Sequence, residues 1–355
     1  MTKEDFMLRA IDLAQLGKGR VSPNPLVGAV LVHEGRIIGE GFHAACGDVH
    51  AEVAALNSVS EQNKILIPDA TLYVTLEPCA HQGKQPPCAH RILQEGIKEV
   101  IVATQDPFKE VQGRGIKILR DGGVEVELGI LENGARWMAR RFLTTQTLNR
   151  PYIILKWAES AEGFFAPLRE ERKQLSNRFS MELVHQWRAE ESSILVGYKT
   201  ALIDNPKLTN RSGKGLHPLR IVLDRTLALP LSHYLLDDER PTWILNTAKE
   251  EAGLKHFKKM AFDDSLLPTL LQDLKAAGKN SLIVEGGAQL LQAFINFNLW
   301  DEARIFRTAV SLDSGIASPR LSSAQLVFQT AIDTDNLSVF QHRNCAFPYV
   351  DGMKL

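Results

Sequence analysis

Three short stretches of the chain carry residue types that bind metals and move protons: His50-Ala51-Glu52, Glu77-Pro78-Cys79 and Pro87-Cys88. One histidine and two cysteines can hold zinc through three protein ligands. The fourth position is then left to water, as in a catalytic rather than a closed structural zinc site. Zinc held this way brings the pKa of that water close to neutral. Glu52 stands two residues from His50, where it can carry a proton from the water to a ring nitrogen and then to a departing amine. The chemistry this set suits is hydrolytic removal of an exocyclic amine from an amidine-like ring carbon. A zinc-stabilised nucleotide-binding regulator is the non-enzymatic rival, but a structural zinc needs no acid beside its ligand.

The signature of zinc base deaminases joins H-x-E to P-C-x-x-C. Here eight residues, not two, separate Cys79 from Cys88. The whole stretch from Glu77-Pro78-Cys79-Ala80-His81-Gln82-Gly83-Lys84 to Pro86-Pro87-Cys88 resembles the deaminase half of a bifunctional riboflavin-biosynthesis family. That family comprises the diaminohydroxyphosphoribosylaminopyrimidine deaminase / 5-amino-6-(5-phosphoribosylamino)uracil reductases. Ser22-Pro23-Asn24-Pro25-Leu26-Val27-Gly28 is similar to its N-P-x-V-G segment and Gly113-Arg114-Gly115 to its G-R-G. In the second half, the run from Thr200 through Asp204-Asn205-Pro206-Lys207-Leu208-Thr209 to Arg211 resembles its T-V-x-x-D-N-P-x-L-T-x-R block, and Val284-Glu285-Gly286-Gly287 its V-E-G-G. The resemblance covers nearly the whole chain and is densest before residue 130.

This resemblance implies two sites. In the first, zinc lies on His50, Cys79 and Cys88, Glu52 is catalytic, and Asn24, His43, His81 and Lys84 contact the phosphoribosylaminopyrimidine substrate. Read without the family, Asn24 is an Asx turn before Pro25, and His81 and Lys84 are solvated loop residues. In the second, Lys156, Arg188, Leu208, Arg211 and Glu285 contact the sugar phosphate, while Ala158, Thr200, Asp204, Arg225, Gly286 and Gly287 contact NADPH. Two arginines suit a phosphate because each guanidinium forks onto its oxygens. Two departures weaken the second site: the family's S-L-D-G is Ser160-Ala161-Glu162-Gly163 here, and its tryptophan-bearing segment is reduced to Lys173-Gln174-Leu175-Ser176-Asn177. A deaminase with a degenerate, non-reducing second domain is therefore the alternative reading.

The elements that must hold these residues follow from periodicity and breakers. Apolar residues from Phe6 to Ala14 recur at helical spacing and stop at Gly17. Val27 to Val32 and Arg36 to Gly41 read as a hairpin. A helix is expected over His50 to Val59 with Asp48 as N-cap, then a strand from Thr71 to Leu76 that ends just before Cys79. Pro86-Pro87 opens a helix with Cys88 at its N-terminus, where the dipole favours thiolate. Strands over Glu99 to Thr104 and Val124 to Leu128 and one helix from Leu131 to Leu148 complete a three-layer α/β/α, cytidine-deaminase-like domain over residues 1–148. Residues 149–355 alternate short β-rich runs with helices, which predicts a largely parallel sheet. The resemblance implies a dihydrofolate-reductase-like α/β domain there. The turn Gly286-Gly287 between a strand and a helix is the shape of a backbone phosphate cradle, and also of an ordinary turn.

Composition bounds the partners. The formal net charge is −1, with 16 Lys and Arg against 18 Asp and Glu over residues 1–147 and near balance beyond. That is not the basic excess of a nucleic-acid binder, so a small-molecule substrate is expected. Four cysteines, two of them claimed by zinc, fit a reducing compartment rather than a disulfide framework. Met1-Thr2-Lys3-Glu4-Asp5 has no basic stretch leading into an apolar core, and no run approaches ~18 apolar residues, so a cytoplasmic protein is expected, without membrane contact. A homo-oligomer is expected as well.

Overall fold

In the computed structural model, which describes residues 1–80, 86–107, 112–169, 171–211, 213 and 215–354, the chain divides into two units. Met1–Asn149 and Phe347–Leu355 form the first, and Arg150–Ala346 the second. The residues from Phe347 onward, expected in the second domain, thus pack on the first. Among the described residues no helix is long and apolar enough to cross a membrane.

The first unit opens with α1 (Lys3–Ala14), started by a capping box in which Thr2 and Asp5 exchange side-chain and backbone hydrogen bonds. Strands β1 (Gly28–His33) and β2 (Arg36–Phe42) form the hairpin. Glu34 and Gly35 between them have φ of 49° and 73°, the paired left-handed residues of a type I′ turn. There follow α2 (Ala51–Asn57), β3 (Thr71–Leu76), α3 (Cys88–Gln94), β4 (Glu99–Thr104), α4 (Arg114–Asp121), β5 (Glu125–Leu128), α5 (Glu132–Met138) and α6 (Arg140–Thr147). The expected single helix over Leu131 to Leu148 is broken at Ala139, whose ψ of 7° leaves the helical range.

The sheet order is β2-β1-β3-β4-β5, antiparallel about β1 and parallel from β3 to β5. Alternate strand residues face opposite sides. Leu31, Leu72, Val74, Val100 and Val102 meet α2, α3 and α4 on one face; Val30, Tyr73, Ile101 and Ala103 meet α1 and α5 on the other. Three layers result. Glycine sets the close contact on the side that matters for chemistry: a Cβ on Gly41 would lie 2.2 Å from the Ala55 nitrogen, so α2 rests directly on β2.

The second unit runs β6 (Tyr152–Glu159), β7 (Phe164–Pro167), α7 (Arg178–Glu190), β8 (Ser193–Gly197), α8 (Tyr198–Asp204), β9 (Leu219–Leu223), β10 (Thr242–Asn246), β11 (Lys255–Lys259), α9 (Leu266–Ala276), β12 (Ser281–Val284), α10 (Ala288–Asn296), β13 (Glu302–Arg307), β14 (Gly315–Ala317), β15 (Ala324–Ile332) and β16 (Asp335–His342). Its main sheet has the order β11-β10-β9-β8-β12-β6-β13-β16-β15. It is parallel from β11 to β13, with an antiparallel hairpin β15–β16 at one edge. Central strands such as β12 are buried along their whole length, as expected where helices cover both faces.

Candidate active sites

In the first unit the metal-ligand candidates come from three neighbouring element ends. His50 is the N-cap of α2, extended at φ −71° and ψ 162°. Asp48, expected in that role, is not the cap: the helix begins later, at Ala51. Cys79 follows β3 in a turn, and Cys88 is the first residue of α3. The Cys88 N–H donates to Cys79 Sγ at 3.3 Å. His50 Nδ1 lies 3.5 Å from Cys79 Sγ and 3.3 Å from Cys88 Sγ. Tetrahedral zinc at its usual bond lengths would space sulfur and nitrogen by about 3.5 Å, so the three groups fit the ion.

Glu52 is the second residue of α2 and is 4% exposed. Burial pushes its carboxyl up to about 7, and the Cys79 charge adds to the push. Hydrogen bonding with Cys88 holds the Cys79 thiol down at about 4, and the same shared proton pushes Cys88 up. A bound cation favours thiolate at both.

His50, Glu52 and Cys79 open onto a cavity of ≈ 280 Å³ lined also by Asn24, His43, Asp106, Phe142 and Gln146. His43 Nδ1 lies 3.0 Å from the Val49 carbonyl, so it donates there, and Nε2 of the neutral ring accepts. Asn24 Nδ2, 3.0 Å away, is then the donor to Nε2, and its carbonyl oxygen is what Asn24 can offer a ligand. Burial lowers the His43 pKa and favours this neutral form. His81 and Lys84 lie outside the described residues.

Glu77 has a role that the sequence reading did not assign. Its buried carboxylate accepts the backbone N–H groups of Asp106 (3.3 Å), Gly113 (3.0 Å), Gly115 (3.0 Å) and Ile116 (3.3 Å). It therefore caps α4 and ties that helix to the Cys79 turn. A Cβ on Gly115 would sit 1.9 Å from the Pro78 carbonyl oxygen, which explains the second glycine of Gly113-Arg114-Gly115. The available signal was an acid at a strand end and a glycine-flanked helix start far along the chain.

The second unit holds a cleft of ≈ 1210 Å³. Lys156, Ala158, Arg188, Thr200, Asp204, Leu208, Arg211, Arg225, Glu285 and Gly287 all line it. Gly286 adjoins it: a Cβ there would lie 2.9 Å from Thr200 Cγ2, so Thr200 packs on the Gly286-Gly287 turn. Gly287 has φ +72° and is the N-cap of α10. Nine Lys and Arg against six Asp and Glu line the cleft among the described residues, a cationic excess absent from the near-neutral chain, and one that suits an anionic ligand.

Arg188 forks onto Glu285 at 2.8 and 2.7 Å, and both side chains are nearly buried. Burial alone would push the Glu285 carboxyl up; the Arg188 guanidinium overrides it and brings it down to about 2. Arg188 is thus engaged with Glu285, whereas Arg211 is exposed at the rim. Burial lowers the Lys156 pKa. The D-N-P run has a local cause: Asn205 ends α8 at φ 41° and its Oδ1 accepts from Tyr234 N–H at 2.9 Å. Glu162, the departure from the family pattern, accepts from Ser160 Oγ, Ser311 Oγ and Leu312 N–H, so it secures a turn. His185, which sequence reasoning passed over, also lines the cleft.

Comparison with known proteins finds the same two parts. Residues 1–104 match the cytidine and deoxycytidylate deaminase zinc-binding region, and residues 151–315 match the RibD C-terminal domain. The chain is 38% identical over 320 residues to riboflavin biosynthesis protein RibD of Aquifex aeolicus, covering 88% of this chain and 89% of that one. It is 37% identical over 350 residues to the protein of the same name from Bacillus amyloliquefaciens, covering 96% and 92%. A crystal structure of a diaminohydroxyphosphoribosylaminopyrimidine deaminase / 5-amino-6-(5-phosphoribosylamino)uracil reductase from Thermotoga maritima is similar with TM-score 0.86 and 34% identity, covering 96% of this chain and 98% of that one. Acinetobacter baumannii RibD is similar with TM-score 0.87 and 33% identity, covering 95% and 98%.

Proposed function

The chain belongs to the riboflavin biosynthesis protein RibD family of zinc-dependent deaminases and NADPH-dependent reductases, and from that premise we propose how its residues divide the two reactions. The first unit hydrolytically deaminates 2,5-diamino-6-(5-phosphoribosylamino)pyrimidin-4-one. The second reduces the ribosyl side chain of the product, 5-amino-6-(5-phosphoribosylamino)uracil, to ribityl. The observation that carries the first assignment is the His50, Cys79 and Cys88 group, with ligand atoms within 4.8 Å of one another, of which His50 and Cys79 line one cavity with buried Glu52. The match of residues 151–315 to the RibD C-terminal domain favours a reducing second unit over a degenerate one.

Zinc, when bound by His50, Cys79 and Cys88, supplies the Lewis acidity that makes water nucleophilic near neutral pH. Glu52 would accept one proton from the attacking water and pass it to the ring nitrogen beside the attacked carbon, then take the second proton from the hydroxyl now on that carbon and pass it to the departing amine, so that the carbonyl forms as ammonia leaves. Its buried position holds a carboxyl able both to take and to give. Asn24 offers its carbonyl oxygen to a ring N–H, oriented by His43. His81 and Lys84, between the two cysteines in the sequence, are the proposed contacts for the sugar phosphate.

In the second unit, NADPH supplies the hydride for C1 of the opened sugar, and the protein orients it. The Gly286-Gly287 turn and the α10 N-terminus receive a cofactor phosphate, next to Thr200, with Ala158, Asp204 and Arg225 along the same cleft. Arg211 forks onto the ribose phosphate beside Leu208, Arg188 reaches it with the Nη1 that its pairing with Glu285 leaves, and Glu285 and Lys156 face the sugar. Cys46 and Cys345 form no disulfide, which suits a reducing compartment and supports cytoplasmic placement. The edge strand β15, Ala324–Ile332, carries no charge along its length, which supports pairing between copies and hence a homo-oligomer.

The test is a mass balance on the wild-type chain. One ammonia should appear per diaminopyrimidinone consumed, and one NADPH should disappear per deaminated product supplied. Ammonia without NADPH oxidation would restore the degenerate-domain alternative.

A further inference from the structure

The segment from Phe347 onward belongs to the first unit, and Phe347 packs behind one wall of the pocket that holds His50 and Glu52. That wall is α6, which contributes Phe142 and Gln146 to the cavity of His50, Glu52 and Cys79. By itself α6 is a weak helix. It spans eight residues and begins at the break after Ala139. Thr145 and Thr147 turn their hydroxyls back to the carbonyls of Arg141 and Leu143, at 2.9 and 2.8 Å, a bond that weakens and bends helices. So short a helix holds its shape in water only through packing.

The packing comes from the returning segment. Phe347 is 3% exposed and closes a cluster with Ala139 and Leu143, against which Phe142 rests. The Arg136 guanidinium lies 5.4 Å from the Phe347 ring centroid. Tyr349 meets Trp137 edge-on at 5.2 Å, and Trp137 Nε1–H donates to the Lys354 carbonyl at 3.0 Å. The Tyr349 hydroxyl donates to the Met353 carbonyl, and Met353 N–H to the Val350 carbonyl, both at 3.1 Å, so the segment is a closed turn.

The geometry points to a positioning role for residues 347–354: they hold α6 in place, so that Phe142 and Gln146 set the width of the deaminase pocket around the substrate. This rests on the assignment of deamination to the first unit. The segment's contacts named above run to α5 and α6, while the metal ligands and Glu52 come from α2, α3 and the turn after β3. Loss of the segment should therefore act on substrate binding and spare the zinc.

The experiment compares the full chain, a chain ending at Ala346, Phe347→Ala, Phe347→Leu and Phe142→Ala. Zinc content, steady-state ammonia release and NADPH oxidation with the deaminated product are measured for each. The shortened chain and Phe347→Ala should show a KM for ammonia release raised about ten- to a hundred-fold, with zinc and NADPH oxidation retained. Phe347→Leu, which restores apolar volume, should recover most of the loss, and Phe142→Ala should reproduce it. An unchanged KM in the shortened chain and in Phe347→Ala would overturn the inference. So would zinc loss with equal damage in both Phe347 variants, which marks general unfolding, or a wild-type KM in Phe142→Ala. A full chain that binds zinc but releases no ammonia would instead overturn the deaminase reading, and this inference with it.

Discussion

At the scale of single residues, Glu52 and the metal ligands make separable demands. Glu52→Gln preserves shape and removes the proton carrier. It should keep zinc and lose ammonia release by at least ~10²-fold, while NADPH oxidation by the second unit continues. Metal analysis beside the two rate assays checks this, and near-normal ammonia release with zinc bound would defeat the role. The cysteines divide in the same manner. Cys79→Ser and Cys88→Ser should each lose zinc stoichiometry, because a hydroxyl is a much poorer zinc ligand than thiolate; Cys46→Ser and Cys345→Ser should retain it. Full zinc in Cys88→Ser would remove Cys88 from the ligand set. The grouping of His50, Cys79 and Cys88 was legible in sequence because metal ligation demands rare side chains. Glu77 was not. Its partners are backbone N–H groups from Asp106 to Ile116, and backbone carries no residue-type signature.

Among elements, the strand-to-helix turn after β12 gives the sharpest test. Gly287 has φ +72°, a conformation that a β-branched residue adopts only with strain, and it heads α10 where N–H groups are unsatisfied. Gly287→Val should abolish NADPH binding in a calorimetric titration while ammonia release persists. Equal binding by wild type and variant would mean that the cofactor phosphate lies elsewhere. Strands such as Thr71–Leu76 and Glu99–Thr104 were readable to the residue, because continuous apolar β-branched runs have few other uses. β11, Lys255-His256-Phe257-Lys258-Lys259, was not, since its charges fit a half-exposed sheet edge as well as a loop. The hairpin β15–β16 was missed for a related reason: it is partly exposed and its register depends on its neighbour β13. The break at Ala139 lies inside an otherwise continuous helical pattern, so periodicity does not report it.

For the molecule as a whole, acid should separate the two units. The Glu285 carboxyl falls from an ordinary value of 4.5 to about 2 in the folded second unit, so its contribution is complete above pH 4.5 and disappears as pH falls through 2. That amounts to about 3 kcal/mol across this window. Four of the five tryptophans, Trp157, Trp187, Trp243 and Trp300, lie in the second unit, so intrinsic fluorescence during denaturant unfolding follows it. Glu285→Gln should be less stable at neutral pH, because Arg188 is left buried and unpaired, yet flatter between pH 4.5 and 2. Parallel slopes for the two proteins would deny the ion pair this role. Two parts and a parallel second sheet were visible in the alternation of strands and helices; the return of Phe347–Leu355 to the first unit was not, because a few aromatic residues beyond a sheet carry no address. That return has a consequence in time. A ribosome reaches Phe347 only after making residues 150–346, about 10–40 s after it leaves Asn149 at ordinary elongation rates. Throughout that interval the zinc ligands are already present on the nascent chain, but the residues that back α6 are not. A message cut short within the second unit therefore yields a protein able to take up metal around a pocket with an unsupported wall, and the first reaction gains its full machinery only as synthesis of the second is complete.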